Sequence, residues 1–328
     1  MALPDLPFTL NPPVLLAPMA GITDLPYRNL VASFGAGLVV SEMVASEDMI
    51  NARPGTREKA ELGLGIEGTA VQLAGRQAAP LAEAARMVEA QGARIIDINM
   101  GCPAKKVTQG YSGSALMRTP DYALTLIEAV VNAVKIPVTL KTRLGWDDAM
   151  LNAPQIAAAA EAAGITMITI HGRTRCQFYK GSADWAAIAK VKDAVSVPVI
   201  ANGDIISSDT ARLALRQSGA DGVMVGRGSQ GRPWILAEIA HQLYGTPAPV
   251  VPQGADFAHM VGDHYDEIIR FFGVTIGLRA ARKHLGWYMD LCATPRDLRR
   301  SILTAADVQT VQTLIPSAMH PGHDLVAA

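Results

Sequence analysis

Cysteine is scarce in this chain, and its scarcity excludes two kinds of protein. The 328 residues contain three cysteines, Cys102, Cys176 and Cys292, with no CxxC pair among them. An odd number of widely spaced cysteines argues against a disulfide-stapled domain and against a structural zinc site. The histidines show no metal-like pairing and HExxH is absent, so we expect reduced thiols and no metal site.

A strong net charge and a long apolar run are also missing. The formal net charge is -1 and charged residues make up 18% of the chain, so composition alone does not indicate nucleic-acid binding. No run approaches the roughly 20 apolar residues that span a membrane, and Met1–Leu10 has no signal-peptide pattern. We therefore expect a soluble, cytoplasmic protein with no membrane partner and no obligate protein partner, most simply a monomer.

Short apolar runs alternate with Ala-rich helical stretches, and this alternation predicts the fold. Eight runs are candidate strands: Val14–Ala17, Leu38–Ser41, Thr69–Leu73, Ile95–Asn99, Val138–Lys141, Met167–His171, Val197–Ala201 and Gly222–Val225. Five stretches between them are candidate helices: Arg76–Gln91, Thr119–Val134, Asn152–Ala163, Asp184–Ala194 and Ser207–Gln217. This alternation indicates a parallel sheet covered on both faces, and eight units predict a closed (β/α)8 TIM barrel. An open doubly wound sheet ranks second because no GxGxxG motif follows the first strand.

The last part of the chain predicts a small all-α domain. A proline-rich stretch over residues 245–254 predicts a linker between a catalytic barrel domain (1–244) and a helical domain (255–328). The candidate helices there are Asp256–Phe271, Ile276–Cys292 and Pro295–Ile315. Arg279, Arg282 and Lys283 follow i, i+3, i+4 spacing, so they share one helix face.

Polar residues sit where the predicted strands end, and TIM-barrel active sites are built at that end of the barrel. The clearest ends carry Pro18 and Met19, Gln72, Asn99, Lys141, His171 with Arg173, Asn202 to Asp204, and Gly226 with Arg227. The last two groups follow the seventh and eighth strands, where barrels commonly bind phosphate. Asp204 could cap the following helix instead.

One strand end is the richest in chemistry. The strand Ile95–Asn99 is followed by Gly101, Cys102 and Pro103, which open a loop of about 18 residues, long enough to suggest a functional role. Gly101 should let the backbone turn sharply and Pro103 should stiffen the turn. A lone cysteine is more often a buried structural residue, but its neighbours here favour a functional thiol.

This run, N-x-G-C-P-A-K-K with Gly113 and Ser114 downstream, resembles the signature of the tRNA-dihydrouridine synthases. Further motifs of the resemblance are Ala17–Asp24, Val71–Gly75, Lys141–Arg143, His171–Thr174, Ala201–Ile205, Gly226–Gly228, Gly231–Trp234 and Ala281–His284. The last two favour the bacterial B-type subgroup. Together the motifs cover roughly Pro12 to Tyr288.

The resemblance implies an FMN cofactor at the barrel mouth. Pro18, Met19 and Ala20 would line its ring system, and Gln72 and Lys141 would bond its polar edge, where a lysine offsets the negative charge of reduced flavin. The residues left for the flavin tail and phosphate are His171, Asn202, Gly203, Asp204, Gly226 and Arg227.

The resemblance also implies the reaction, which is reduction of the C5–C6 double bond of a uridine in tRNA. Hydride would pass from FMN N5 to C6, and Cys102, mostly a protonated thiol at neutral pH, would give a proton to C5. Asn99 would bond the uracil edge. NADPH (or NADH) would reduce the flavin at the same mouth in a ping-pong order, since no dinucleotide-binding fingerprint is present.

A base that reacts in such a barrel must leave its stack in the tRNA. Lys105, Lys106, Arg173 and the face of Arg279, Arg282 and Lys283 are the candidate tRNA contacts. Two other functions stay open: an FMN barrel that reduces a free pyrimidine or enone, as a dihydropyrimidine dehydrogenase does, and a non-catalytic RNA-binding barrel. Turnover of free uridine would favour the first, and a colourless protein would favour the second.

Overall fold

The computed structural model describes residues 6–8, 10–53, 55–62 and 69–319. The first residues of the predicted barrel domain (1–5) and the last of the predicted helical domain (320–328) lie outside the described residues. Within the described part, no helix is both long enough and apolar enough to cross a membrane.

Among the described residues, nine parallel strands form one sheet. They are β1 (Val14–Leu16), β2 (Leu38–Val40), β3 (Val44–Ala45), β4 (Thr69–Ala74), β5 (Ile95–Asn99), β6 (Val138–Arg143), β7 (Met167–His171), β8 (Val199–Asn202) and β9 (Gly222–Val225). Their order is β2-β1-β9-β8-β7-β6-β5-β4-β3, and β2 also pairs with β4, so the sheet closes into a barrel. All eight predicted strands are present, which confirms the TIM barrel.

One of the nine strands, β3, was not predicted. It continues β2 beyond a β-bulge. β2 pairs Val40 with Ala70 of β4, and β3 pairs Val44 with Leu73 of the same strand. Three residues, 41–43, therefore lie opposite two, 71–72. A bulge re-aims side chains at a barrel rim, and here it turns Met43 into the cavity at the mouth.

Ten α-helices alternate with the strands in the part of the barrel that the structure describes. They are α1 (Leu25–Ser33), α2 (Ser46–Ile50), α3 (Thr56–Ala60), α4 (Ala78–Ala90), α5 (Lys105–Thr108), α6 (Pro120–Val131), α7 (Ala153–Ala162), α8 (Ala186–Lys192), α9 (Ser208–Ser218) and α10 (Ile235–Tyr244). The five predicted helices match α4, α6, α7, α8 and α9 within a few residues. Sequence analysis missed the other five, α1, α2, α3, α5 and α10. Of these, α1 is capped by Asp24, which accepts a hydrogen bond from the Tyr27 amide.

Both faces of the barrel strands are buried, which explains why they are nearly all apolar. Along β1, Leu15 belongs to the core inside the barrel, whereas Val14 and Leu16 belong to the core between strands and helices. The same alternation places polar side chains that follow the strands at the carboxyl-end rim.

Three further helices lie between α10 and the last described residue: α11 (Gly254–Leu291), α12 (Arg296–Thr304) and α13 (Val308–Ala318). α11 folds back at Gly273, where φ is 73° and ψ is 167°, so its two limbs match the two predicted helices. The ring of Phe257 on the first limb lies 5.8 Å from that of Tyr288 on the second. Residues 246–253 have no regular structure, and the division into domains stays a prediction.

The single helix predicted over Pro295–Ile315 is wrong. The chain leaves the helical conformation at Ala305, and Asp307 starts α13 by accepting a hydrogen bond from the Thr310 amide at 2.8 Å. An aspartate that caps a helix competes with continuation of the preceding one. The three helices share a second core that also includes Trp234.

Candidate active site

The carboxyl ends of the strands surround a cavity of about 750 Å³, within the range of pockets that hold small ligands. Thirteen predicted site residues line it: Pro18, Met19, Ala20, Gln72, Asn99, Cys102, Lys141, His171, Asn202, Gly203, Asp204, Gly226 and Arg227. These residues come from seven of the nine strands or the loops that follow them, so the closed barrel is what brings them together.

A chain of side-chain hydrogen bonds runs across one wall of the cavity. The Asp97 carboxylate accepts from Gln72 Nε2 at 2.7 Å and from the Thr139 hydroxyl at 2.6 Å. The other end of the Gln72 amide accepts from Asn99 Nδ2 at 2.7 Å. Because a carboxylate only accepts, Asp97 fixes the orientation of both amides.

The same series of hydrogen bonds ends at the backbone of the loop that Gly101, Cys102 and Pro103 open after β5, here called the cysteine loop. Asn99 Oδ1 accepts from the Gly101 amide at 3.2 Å and from the Cys102 amide at 3.0 Å. Most of the Asn99 amide is thus used to hold the loop, which leaves little of it for the predicted bond to the uracil edge. These hydrogen bonds fix the position of the Cys102 backbone. Cys102 itself lines the cavity.

Gly113, and not Gly101, is the glycine that this loop requires. Gly101 does not adopt a positive φ, and a Cβ there would meet only ordinary contacts at 3.5 Å, so its predicted role in a sharp turn is wrong. Gly113 has φ 59°, and a Cβ would come within 2.9 Å of the Cys102 carbonyl oxygen. Ser114 completes the closure by donating its hydroxyl to that oxygen at 2.9 Å.

Lys141 lies on the floor of the cavity and is 8% exposed. Its ammonium donates to Asn202 Oδ1 at 3.1 Å, and Asn202 Nδ2 donates to the Met224 carbonyl at 2.8 Å. Burial lowers the pKa of Lys141 to about 8, the charge of Arg143 adds to the decrease, and Asp97 opposes it. The lysine is therefore an oriented cation whose charge a bound anion would stabilise.

Positive charge converges on the wall around His171. Burial lowers the pKa of this histidine well below its ordinary value, and the charges of four cations lower it further. These cations are Lys141, Arg143, Arg173 and Arg227. A neutral imidazole among four cations marks a region that favours an anionic ligand.

Asp204 organises this region, but it does not cap the following helix. Its carboxylate accepts from Arg173 at 3.0 and 2.5 Å and from Arg227 at 3.2 Å. Burial alone would raise the pKa of Asp204, but the hydrogen bond from Arg173 and the neighbouring charges outweigh it and lower the pKa. The cap of α9 is Ser207, in a capping box with Thr210.

The structure places Arg173 behind the cavity wall, and it is only 1% exposed. Its guanidinium bonds Asp204 and the carbonyl oxygens of Lys180 and Gly181. The other predicted tRNA contacts, Lys105 and Lys106 on α5 and Arg279, Arg282 and Lys283 on α11, are exposed outside the cavity. Lys283 reaches the barrel rim, where its ammonium donates to the Gly21 carbonyl at 3.3 Å.

Sequence analysis missed Arg143 and Tyr179 as site residues. Arg143 is buried and donates to the carbonyls of Gly101 at 2.7 Å and Phe178 at 2.9 Å, so it ties the cysteine loop to the loop after β7. The Tyr179 ring lies 5.5 Å from the Arg143 guanidinium and 5.3 Å from that of Arg227. The length of the segment between β7 and α8 was a usable signal, because long loops are commonly functional.

The chain is a TIM barrel whose ligand cavity, at the carboxyl ends of the strands, combines a thiol, oriented amides and a cationic wall. A family model described as dihydrouridine synthase (Dus) matches residues 15–320. The chain belongs to this family of oxidoreductases, and the resemblance seen in the motifs is confirmed.

Similar proteins agree with the family. The chain is 64% identical over 94% of its length to a probable tRNA-dihydrouridine synthase of Rhodobacter capsulatus, and covers 95% of that protein. It is 52% identical to one of Rhizobium leguminosarum, covering 94% of this chain and 96% of the relative. It is 48% identical to the tRNA-dihydrouridine synthase B of Xanthomonas campestris, covering 86% and 85%.

A solved structure of histamine dehydrogenase from Rhizobium is similar in fold, with a TM-score of 0.55 and 13% identity. The match covers 79% of this chain and spans about half of the other one (49%). At this identity the likeness supports the barrel and nothing more.

Proposed function

We propose that this chain is an FMN- and NADPH-dependent tRNA-dihydrouridine synthase, which reduces the C5–C6 double bond of a uridine in tRNA. The observation that carries the proposal is the presence of the Cys102 thiol and the Lys141 ammonium in one cavity. The similar proteins from Rhodobacter and Rhizobium are both named as probable tRNA-dihydrouridine synthases.

The cavity fits an FMN. Its volume of about 750 Å³ is suitable for a ligand of this size. Lys141 and Gln72 offer donors for the polar edge of the flavin ring, and Arg227 and the backbone at Gly203 and Gly226 line the side expected for the phosphate. A Cβ on Gly203 would come within 2.9 Å of the Ala183 side chain, so this wall needs a glycine.

Bound reduced FMN would supply the hydride that C6 of the uracil accepts. The residues of the chain do the rest. Cys102 would hold its thiol proton for C5, with its backbone fixed by Asn99 and Ser114. Arg173 would act as a positioning residue that orients Asp204. The cationic wall around His171 would hold the anionic groups of the cofactor.

The tRNA would approach over the rim that carries the exposed cations. Lys105 and Lys106 lie on α5, within the cysteine loop, and Lys283 contacts the rim at Gly21. Together with Arg279 and Arg282 they offer charges for phosphates around a base that has left its stack. NADPH would use the same mouth before the tRNA binds.

The test separates flavin reduction from uracil protonation. In Cys102→Ala, flavin reduction by NADPH should be unchanged, whereas reoxidation of the reduced protein by unmodified tRNA should slow by about 10²- to 10⁴-fold, the usual contribution of a general acid. Stopped-flow flavin absorbance and mass spectrometry of the tRNA measure the two steps. Cys176→Ala, which changes an exposed cysteine outside the cavity, is the matched control.

Several outcomes would contradict the proposal. Reoxidation by tRNA at the same rate in Cys102→Ala would remove the thiol from the reaction. A purified protein that binds no flavin would favour a non-catalytic RNA-binding barrel. Turnover of free uridine as efficient as that of tRNA would favour the free-pyrimidine reductase.

A further inference from the structure

Three potential metal ligands meet outside the lining of the barrel cavity. Asp24 precedes α1, His264 lies on the first limb of α11 and His284 on the second. One carboxylate oxygen and one nitrogen from each ring lie within 4.8 Å of one another. All three side chains are buried, with 3%, 3% and 2% exposure, and none of them lines the cavity at the mouth.

The two histidines lack the partners that buried polar groups normally have. His264 Nε2 and both ring nitrogens of His284 make no hydrogen bond of normal geometry among the residues that the structure describes, although the Ile22 backbone lies near the His284 ring. Buried polar atoms are nearly always paired, so such an atom points to a missing water or ion.

Neighbouring aromatic side chains hold the His264 and His284 rings in place. His264 Nδ1 lies 3.0 Å from the Tyr288 hydroxyl, which leaves Nε2 as the free nitrogen. The Tyr27 ring packs at 4.8 Å from His284 and 5.7 Å from His264. Metal-binding histidines characteristically have their second nitrogen bonded in this way.

One member of the cluster also borders a groove. This groove of about 610 Å³ between α1 and α11 has His264 in its wall, together with the carboxylates of Asp256, Asp263 and Glu267. These three acidic groups would attract a cation to the groove. Two cations lie on the other side of the cluster: Arg28 bonds the Thr23 and Glu61 carbonyls and Lys283 the Gly21 carbonyl.

We propose that Asp24, His264 and His284 bind one divalent transition-metal ion of the Zn²⁺ type. Two imidazoles and one carboxylate are a donor set that zinc accepts with three protein ligands. The ion would join the first helix of the barrel to both limbs of α11, which carry the exposed cations Arg279, Arg282 and Lys283. The ligands are separated by 240 and 20 positions, so no sequence motif could show them.

The test uses zinc binding by the flavin-loaded protein. The protein is stripped with a chelator, dialysed against Zn²⁺ and analysed for zinc per chain by mass spectrometry. One zinc per chain is expected. Asp24→Asn, which keeps a cap for α1, and His264→Gln should each weaken zinc binding by at least about 100-fold, because loss of an outer partner alone costs roughly 10- to 100-fold.

His241→Gln is the matched control, since His241 bonds the Thr246 carbonyl and is outside the cluster; its zinc content should equal that of the wild type. If the variants do not fold, anomalous diffraction at the zinc edge from wild-type crystals decides: a peak between the three side chains is expected. A site filled by water alone, or unchanged zinc binding in Asp24→Asn and His264→Gln, would overturn the proposal. Neither readout depends on tRNA reduction.

Discussion

The barrel mouth and the junction between α1 and α11 both bury polar side chains, but they treat them in opposite ways. At the mouth, Asp97, Gln72 and Asn99 are bonded to one another and to the backbone of the cysteine loop. At the junction, His264 and His284 leave ring nitrogens unpaired within the described residues. A bonded network fixes one geometry, whereas unpaired buried groups are normally completed by water or an ion.

The two regions therefore differ in how much they depend on a bound ligand or ion. The mouth is organised before any ligand arrives, so a ligand there meets groups already in position, which lowers the cost of binding. The junction lacks one component, so its contribution to stability should change when that component is supplied.

The largest effect is expected at the mouth. Asp97→Leu should lower the free energy of unfolding by about 3 kcal/mol, because the buried donors of Gln72 and Thr139 lose their acceptor. Urea unfolding measures it. Asp193→Leu, at an exposed position, is the control and should change stability by no more than about 0.5 kcal/mol. Equal effects at both sites would mean that the network is not what holds the mouth.

The next effect concerns the fold-back that brings the two histidines together. Gly273→Ala should cost about 1–3 kcal/mol, because φ 73° with ψ 167° is a conformation that only glycine adopts readily. Gly262→Ala, within the first limb at a site with open space for a Cβ, should instead stabilise by about 0.5–1 kcal/mol. Thermal unfolding of both variants checks this, and effects of the same sign would contradict the account of the turn.

A pH dependence is expected at the floor of the mouth. Lys141 has a pKa of about 8 in the folded chain against 10.5 in its reference state, so it loses its charge as the pH rises through about 8. The affinity of the flavin-free protein for FMN should be constant below that pH and fall about tenfold per unit above it. Lys141→Met should bind FMN more weakly and without this slope. A slope that persists in Lys141→Met would assign it to another group.

The same pKa shift predicts the sign of a stability effect. Between pH 8 and 10.5 the unfolded chain holds a proton on this lysine that the folded chain has lost. The contribution of Lys141 therefore makes the free energy of unfolding rise with pH over that window and stay level below it.

The smallest effect is expected at the junction. In metal-free protein, His284→Phe keeps the ring contacts with Tyr27 and His264 and removes two unpaired polar atoms, so stability should change by no more than about 1 kcal/mol. With Zn²⁺ in excess, the wild type should become the more stable of the two, since only it gains binding energy. Urea unfolding with and without zinc measures both. A loss above about 2 kcal/mol without metal would show that His284 is already paired.

Much of the fold could be predicted because local pattern decides it. All eight barrel strands follow from apolar runs that both faces of the sheet bury. The bulge at residues 41–43 could not be predicted, since it depends on the register of β2 and β3 against β4. The break at Ala305 was also missed, because a good cap at Asp307 competes with an otherwise helical pattern.

The mouth could be predicted for a related reason: the strand ends of a parallel barrel converge, so thirteen residues from different strands share one cavity. The partners of those residues could not. Arg173 turned inward because Asp204 and two carbonyls offered it acceptors. Arg143 became central because its guanidinium meets the carbonyl of Gly101, a contact that the spacing in the sequence does not contain.

The most direct test of the central claim is a map of dihydrouridine in the tRNA of cells that lack this chain, complemented with wild type, Cys102→Ala or Cys176→Ala. We predict loss of dihydrouridine at specific positions in the deletion strain, recovery with the wild type and with Cys176→Ala, and no recovery with Cys102→Ala. An unchanged map in the deletion strain, or full recovery with Cys102→Ala, would contradict the account.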